Sequence, residues 1–378
     1  MNGDDNTLST ILHFLDGAIV NSDLYFSSAD FNGLYKWDLV NRKSEFLGHF
    51  PYEDIFTHNI YGHVIRHRDK LFFLPIHGKT INVYDTRDLS FSSIRLAFSD
   101  VGNNHISSYV PYREGYLLIP GDLKREFLYL SPEDNAITVM SDIADGFKEI
   151  VKNEDSAACR YGGATLHKGK LLVAVVDKNY FIETDLHGAF RKNVVEGFKV
   201  NNIYSDGESL WLVSSDGKAV MKWNGENDYQ IMRLENVIEN AFFSFAQYRS
   251  TVLLLPWKGL EVLIYDKENN EWKTFFKVNC LDDKECNAKG TGAKYCDWGT
   301  WNNLYFLFPS AGADVIQIDS NSGMTEMYQI STDVDFQELE QVNKKRIFRA
   351  KVNCGEMLYE TEEMELKGLI EFLAKEDN

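Results

Sequence analysis

Histidine is the residue type in this chain best suited to chemistry near neutral pH, because its imidazole can act as an acid, a base or a metal ligand. Five histidines stand next to apolar runs in the first third of the chain: His13, His58, His63, His77 and His105. His58 and His63 have the spacing H-x4-H, which would place their side chains on opposite faces of a strand. We therefore expect no metal site and no cofactor, and we expect most of these imidazoles to be hydrogen-bonded or solvated.

Acid–base catalysis is the sharper alternative for part of this set. A substrate held near two histidines, two tyrosines and an arginine could lose a proton at one position and gain one at another. The residues that would do this are Tyr61, His63, His105, Arg160 and Tyr161. Aromatic residues also recur at matching positions, as Phe14, Tyr61, Tyr161 and Phe242. Packing of these rings between neighbouring repeats explains the recurrence better than stacking on a ligand.

A second group of side chains suits binding rather than catalysis. These residues fall in loops and links that vary from one repeat to the next, and they are His58, His77, Trp257, Lys258 and Tyr295. The same loops supply the charged residues Asp177, Lys178 and Asp216. Loops on a rigid scaffold are common positions for recognition residues. We expect a peptide, protein or glycan ligand.

Motifs of well-known sites are missing. The insert CLDDKECNAKGTGAKYC, residues 280–296, has the spacing C-x5-C-x9-C and lacks the close cysteine pair of structural zinc sites. Its AKGTGAK segment lacks the Lys-Ser/Thr ending of a phosphate-binding loop. G-x-S-x-G and H-E-x-x-H do not occur. The motifs therefore name no reaction.

Composition limits the partners. The chain has 378 residues and a net charge of −18, which disfavours nucleic acids and anionic membrane surfaces. Its first residues, MNGDDNTLST, lack the basic and apolar regions of a secretory signal. No apolar run approaches the ~20 residues that span a bilayer. We expect a cytoplasmic protein that binds neither nucleic acid nor membrane.

The elements that must position these residues repeat along the chain. Seven segments contain three short apolar runs joined by a loop and a turn, and their equivalent residues stand 39 to 55 positions apart: Leu24, Leu71, Tyr116, Leu171, Leu210, Val252 and Leu304. A weaker run, richer in Ser, Gly and His, precedes each segment. The runs are rich in β-branched and aromatic residues and are bounded by Gly, Asn, Asp or Pro, as strands are. Four strands repeated at this period predict an all-β fold, a single β-propeller of seven four-stranded blades.

The turns carry a family resemblance. The segment IYDKENNEW, residues 264–272, resembles the ending of a kelch repeat, in which Tyr-Asp, a four-residue turn and Trp follow one another. Aspartates stand just before the turn in five repeats, where their side chains can bond turn amides: Asp38, Asp85, Asp185, Asp266 and Asp319. Proline replaces the double glycine of that family after four second strands: Pro75, Pro120, Pro256 and Pro309. The resemblance implies a propeller, and kelch-like propellers are mostly binding platforms with a minority of enzymes.

The predicted organisation is a propeller over residues 1–331 and a C-terminal extension over residues 332–378. The blades fall near residues 8–56, 57–101, 102–155, 156–199, 200–238, 239–290 and 291–331. The extension ends in an amphipathic helix that we expect to pack on the propeller. The function that these features favour is non-catalytic recognition of a peptide, protein or glycan on the central-channel face. The alternative is a lyase, epimerase or cyclase that uses acid–base catalysis in the central funnel.

Overall fold

The predicted blades are present in the computed structural model. It describes residues 10–55, 57–96, 105–122, 125–152, 154, 160–225, 228–235, 237–278, 295–310 and 314–332. Seven four-stranded antiparallel sheets succeed one another along the chain, and each consists of four consecutive strands in sequential order. The chain is therefore an all-β, seven-bladed propeller, and every blade is built from contiguous sequence.

The strands of the first four blades have these bounds. Blade 1 contains β2 (Phe14–Val20), β3 (Asp23–Ser28), β4 (Leu34–Asp38) and β5 (Lys43–Gly48). Blade 2 contains β6 (Tyr61–His67), β7 (Lys70–Pro75), β8 (Thr80–Asp85) and β9 (Ser90–Arg95). Blade 3 contains β10 (Ile106–Tyr112), β11 (Gly115–Pro120), β12 (Leu128–Ser131) and β13 (Ala136–Val139). Blade 4 contains β14 (Tyr161–His167), β15 (Lys170–Val175), β16 (Tyr180–Thr184) and β17 (Phe190–Val194).

The other three blades continue the pattern. Blade 5 contains β18 (Val200–Ser205), β19 (Leu210–Ser214), β20 (Ala219–Gly225) and β21 (Asp228–Arg233). Blade 6 contains β22 (Phe242–Tyr248), β23 (Thr251–Pro256), β24 (Glu261–Asp266) and β25 (Glu271–Lys277). Blade 7 contains β26 (Tyr295–Trp301), β27 (Leu304–Pro309), β28 (Asp314–Asp319) and β29 (Thr325–Gln329). The two-residue strands β1 (Thr10–Ile11) and β30 (Ser331–Thr332) pair with each other.

One helix is present among the described residues, α1 (Ser141–Val151), in the link between blades 3 and 4. Its buried face consists of Ile143, Ala144, Phe147 and Val151. Phe147 packs against Phe127, with ring centroids 4.7 Å apart. This helix is not among the elements predicted from the sequence, because its apolar face is short and falls between two blades. No helix in the described part of the chain is both long and apolar enough to cross a membrane.

The cores lie between adjacent blades. The aromatic residues that recur at the starts of innermost strands are buried there, with Tyr61 packed near Phe50 and Phe73 and Tyr161 packed near Phe127 and Phe147. Burial of apolar area at these interfaces is the main force that holds one blade against the next. The interpretation of the recurrent rings as inter-blade packing is therefore confirmed.

The turn between the third and fourth strands explains the recurrent aspartate. In all five repeats where an aspartate was expected to anchor the turn, one carboxylate oxygen accepts hydrogen bonds from two turn amides. Asp38, for example, accepts from Val40 N at 2.8 Å and from Asn41 N at 2.9 Å. These bonds favour the ionised side chain, and they lower the pKa of Asp38.

The chain divides into two compact units. The propeller unit is Ile11–Thr332, and the second unit consists of Met1–Thr10 with Asp333–Asn378. The predicted C-terminal extension, with its terminal helix, lies outside the described residues except for Thr332.

Candidate functional site

Each innermost strand contains a β-bulge directly after its first residue. In β6, for example, Tyr61 pairs with Pro75 and His63 with Leu74, so that two residues on β6 oppose one on β7. The same irregularity occurs in the innermost strands of the other six blades. Bulges re-aim side chains and often lie next to functional sites.

The third residue of each innermost strand lies at this bulge, and we call the seven positions the bulge ring. They are Asp16, His63, Ser108, Gly163, Asn202, Ser244 and Asp297. Every member is polar or glycine, whereas the first residue of every innermost strand is apolar or aromatic. The ring also connects blades, since Asp16 Oδ2 accepts from Val64 N at 2.7 Å and Ser108 Oγ from Ala164 N at 3.3 Å.

Three members of the ring form what we call the channel cluster, namely Asp16, His63 and Asp297. They come from the innermost strands of blades 1, 2 and 7, and one ligand atom of each lies within 4.8 Å of the others. The Nδ1 atom of His63 is 3.9 Å from Asp16 Oδ2. Asp16 Oδ1 accepts from Gly17 N at 2.6 Å, and Asp297 Oδ1 accepts from Trp298 N at 2.7 Å. Backbone donors therefore fix both carboxylates.

The surroundings of the channel cluster disfavour charge. Burial, and then the negative charge of Asp297, raise the pKa of Asp16 well above its ordinary value. Burial also raises the pKa of Asp297, and it lowers the pKa of His63 to about 4. Near neutral pH the imidazole is therefore neutral, and the carboxyl pair keeps a proton to higher pH than an isolated carboxyl does.

Comparison with known proteins comes from structure alone. No protein-family model matches the sequence, and no curated protein matches it. A streptogramin B lyase structure aligns with a TM-score of 0.58 at 10% identity, covering 85% of this chain and 94% of that chain. The virginiamycin B lyase from Staphylococcus aureus gives 0.58 at 9% identity, covering 80% and 95%.

A non-lyase structure is also similar. The propeller domain of Cps50 (Swd1) from Myceliophteria thermophila gives a TM-score of 0.51 at 9% identity, covering 84% of this chain and 97% of that chain. These likenesses show the fold alone. A propeller that is similar to both lyases and a Swd1 domain carries no reaction by analogy.

The five residues expected to act in catalysis do not form one site. Tyr61 and Tyr161 are 3% and 4% exposed within inter-blade cores, which corrects the expectation that they face the channel. The hydroxyl of Tyr61 is hydrogen-bonded to Asn82 Nδ2, and burial raises the pKa of Tyr61 well above its usual value. His63 alone joins the channel cluster.

The remaining two catalytic candidates lie in exposed segments just before innermost strands. His105 precedes β10, and Arg160 precedes β14 and forms an isolated bridge with Asp122. Desolvation of the imidazole is the main cause that lowers the pKa of His105. Nearby His77, Arg125 and Arg160 lower it further by charge repulsion. His77, His105 and Arg160 therefore lie near one another, whereas the side chains of Tyr61 and Tyr161 are buried between blades.

The residues expected to bind ligand are divided in the same way. His58, His77 and Lys258 are exposed in links or loops, whereas Trp257 is half-buried against Phe243, with ring centroids 4.7 Å apart. Tyr295 is 1% exposed in the core between blades 6 and 7, because it occupies the first position of β26. A ligand could reach Tyr295 only by displacing core packing, which corrects the expectation for that residue.

A groove between blades 4 and 5 collects residues from the variable loops. Its volume is about 850 Å³, and its lining includes Lys178, Lys199, Asp216, Arg233 and Glu239. The sequence places two of these residues, Lys178 and Asp216, in the variable loops. Lys178 is paired with Glu154 at 3.0 Å, whereas Lys199 and Arg233 of the lining form no ion pair among the described residues.

Asp16 and Asp297 are the functional candidates that sequence reasoning missed. Alignment of the innermost runs on their apolar or aromatic first residues would have found them, because the third position then reads Asp, His, Ser, Gly, Asn, Ser and Asp. A position that is always polar or glycine inside a buried strand is unusual. The conflict between burial and polarity was the available signal.

Proposed function

We propose that this chain is a recognition propeller that binds a peptide segment with charged side chains in the groove between blades 4 and 5. The observation that carries the proposal is the groove itself, about 850 Å³ in volume and formed by loops and links of two blades. That size lies within the usual range of ligand sites. The aspartate-anchored turns support the narrower proposal that the chain is a kelch-like binding platform.

The walls of the groove are set before any ligand arrives. Asp216 Oδ1 accepts from Lys218 N at 3.0 Å, and Ser215 Oγ donates to Val200 O at 3.0 Å. The two loops are also joined through the backbone, since Val200 N donates to Lys178 O at 2.7 Å. A preformed site loses less conformational entropy on binding than a mobile one.

The charges of the groove favour a peptide over a glycan. Lys199 and Arg233 offer cationic groups, and Asp177 and Glu239 offer anionic ones. Phe198 is the aromatic residue in the described lining, and it is only 3% exposed. Sugar rings are commonly bound on exposed aromatic faces, whereas a peptide with acidic and basic side chains complements this lining.

A displayed library of random peptides tests the proposal. We expect selection on the full chain to enrich peptides that contain Asp or Glu. The double variant Lys199→Glu/Arg233→Glu should bind the enriched peptides at least tenfold more weakly. Peptides in which Lys replaces those acidic residues should regain binding to the variant.

The matched control places the same charge change on the other end of the blades. Lys168 and Arg249 lie in turns between the first and second strands, and both are exposed. Lys168→Glu/Arg249→Glu should leave peptide binding unchanged. Equal binding by the groove variant, or enrichment only on a glycan array, would count against a peptide-binding groove.

Acid–base catalysis in the channel is the second candidate, and the channel cluster supports it. A carboxyl pair that shares a proton beside a neutral imidazole has the composition of a proton donor and acceptor set. Wild type and His63→Gln can be incubated with polar metabolite extracts in deuterated water. A lyase, epimerase or cyclase should produce a mass change that the variant lacks; identical spectra for the two proteins would remove this candidate.

A further inference from the structure

The channel cluster brings an imidazole nitrogen and the oxygens of two carboxyl groups together. Its ligand atoms lie within 4.8 Å of one another, and His63 Nδ1 is too far from Asp16 Oδ2, at 3.9 Å, for a hydrogen bond. Among the described residues, no Lys or Arg lies within ion-pair distance of either aspartate, and the contact of 3.9 Å is with the neutral imidazole of His63. The centre of the cluster therefore lacks a positive partner.

The orientation of the His63 ring also suits the binding of a cation between the two aspartates. Its Nε2 is 3.1 Å from the carbonyl oxygen of Ser107. A carbonyl only accepts hydrogen bonds, so Nε2 carries the hydrogen and Nδ1 presents its lone pair to the two aspartates. Metal-ligating histidines use this arrangement, in which the outer nitrogen donates to a carbonyl and the inner one binds the ion.

The carboxylates are equally well prepared. Gly17 N and Val64 N hold the two oxygens of Asp16, and Trp298 N holds one oxygen of Asp297. Each bond fixes the orientation of the side chain and leaves lone pairs for another partner. The side chain of His63 is 27% exposed, so that an ion can reach the cluster.

We propose that Asp16, His63 and Asp297 bind one divalent transition-metal ion of the Zn²⁺ or Mn²⁺ type. One imidazole and two carboxylates suit these ions better than Ca²⁺ or Mg²⁺, which take oxygen ligands. Bonds of about 2.0–2.2 Å place ligand atoms at most about 4.4 Å apart, and the 3.9 Å between His63 Nδ1 and Asp16 Oδ2 already meets this limit. Three protein ligands leave coordination positions for water or a ligand.

This site departs from the expectation of no metal, which rested on histidine spacing. The ligand set contains one histidine instead of several, and its carboxylates come from strands at the two ends of the propeller. Metal binding at the channel cluster does not depend on peptide binding in the groove between blades 4 and 5. Either proposal can therefore fail without the other.

Calorimetric titration of the chelator-treated full chain with Zn²⁺ alone, and with Mn²⁺ alone, tests the site. We expect one equivalent of metal to bind, and at least tenfold weaker binding in Asp297→Asn and in His63→Gln. The control is His67→Gln/Glu133→Gln, which removes a surface His–carboxylate contact of 3.0 Å and should bind metal like wild type. No stoichiometric uptake, or equal binding by the cluster variants, overturns the proposal.

A second measurement covers the case in which the cluster variants do not fold. Crystals of the wild-type protein soaked in Zn²⁺ should show anomalous density between Asp16, His63 and Asp297. Anomalous density only at surface carboxylates would mean that the carboxyl pair holds a shared proton only, and that the site does not bind metal.

Discussion

Individual charged side chains contribute unequally to the stability of this propeller, and the size of each contribution depends on the surroundings of the charge. Glu208 is 83% exposed and lies 3.7 Å from Lys267, so solvent screens the pair. Glu154 is 19% exposed and contacts two ammonium groups, Lys192 at 2.8 Å and Lys178 at 3.0 Å. Burial opposes its ionisation, but the hydrogen bonds from Lys192, Lys178 and Tyr180 outweigh burial and lower the pKa to about 2.

The substitution Glu154→Gln should therefore destabilise the propeller in a pH-dependent way. The ordinary pKa is 4.5, so ionised Glu154 stabilises the fold fully above that pH, and this stabilisation is lost as the pH falls towards 2. At 1.36 kcal/mol per pKa unit, we expect a loss of about 1–3 kcal/mol at pH 7. Urea unfolding at pH 7 and pH 3 measures it, with Glu208→Gln as the control that should change little. A loss that does not shrink at pH 3 would show that the charge of Glu154 is not its cause.

The innermost strand is the element in which the seven otherwise similar blades differ in the side chain that they place in the bulge ring. Its bulge places one polar residue or glycine per blade in the bulge ring, and the contacts of that residue depend on the neighbouring blade. In blade 4 the residue is Gly163, and the side chain of Asn202 from blade 5 occupies the space that a Cβ at residue 163 would fill. Asn202 Oδ1 accepts from Ile203 N at 2.8 Å. The glycine therefore permits close approach of blades 4 and 5.

Gly163→Ala should weaken this contact. The added Cβ would collide with Asn202 Oδ1, and overpacking of this kind costs about 1–3 kcal/mol. Gly225→Ala is the matched control, because no atom lies within 4 Å of its added Cβ. Denaturant unfolding of both variants measures the difference. Equal stability of the two variants would mean that blades 4 and 5 can separate at the ring without cost.

The scaffold could be predicted from sequence because each blade repeats local patterns. Within each blade, a buried second strand such as β7 or β23 is followed by a turn, which an aspartate anchors in five of the blades, and each blade spans only about forty residues of sequence. The channel cluster could not be read in the same way, since Asp16 and Asp297 meet only after the ring closes. The bulge also breaks the period of two on which the facing of His63 was judged.

The propeller closes where blade 7 meets blade 1. No strand of one blade belongs to the four-stranded sheet of the other, so other contacts hold the two together. Leu12 N donates to Ile330 O at 2.9 Å, and the rings of Trp37 and Tyr328 lie 4.8 Å apart. Arg42 forms a two-pronged contact with Glu326, at 2.7 and 2.6 Å, and its guanidinium lies over Tyr328. The channel cluster depends on this closure, because Asp297 belongs to blade 7 and Asp16 to blade 1.

Apolar packing should contribute more to closure than the ion pair does. Trp37 is 3% exposed, so Trp37→Ala leaves a cavity and should cost about 3–5 kcal/mol of unfolding free energy. Arg42 and Glu326 are about half exposed, at 47% and 48%, so Arg42→Met should cost less than about 1 kcal/mol. Urea unfolding measures both, and Trp223→Ala, at a buried position in blade 5, gives the cost of the same truncation away from the seam. A larger loss from Arg42→Met than from Trp37→Ala would mean that the ring is held closed by charge, and its stability should then fall steeply as salt is added.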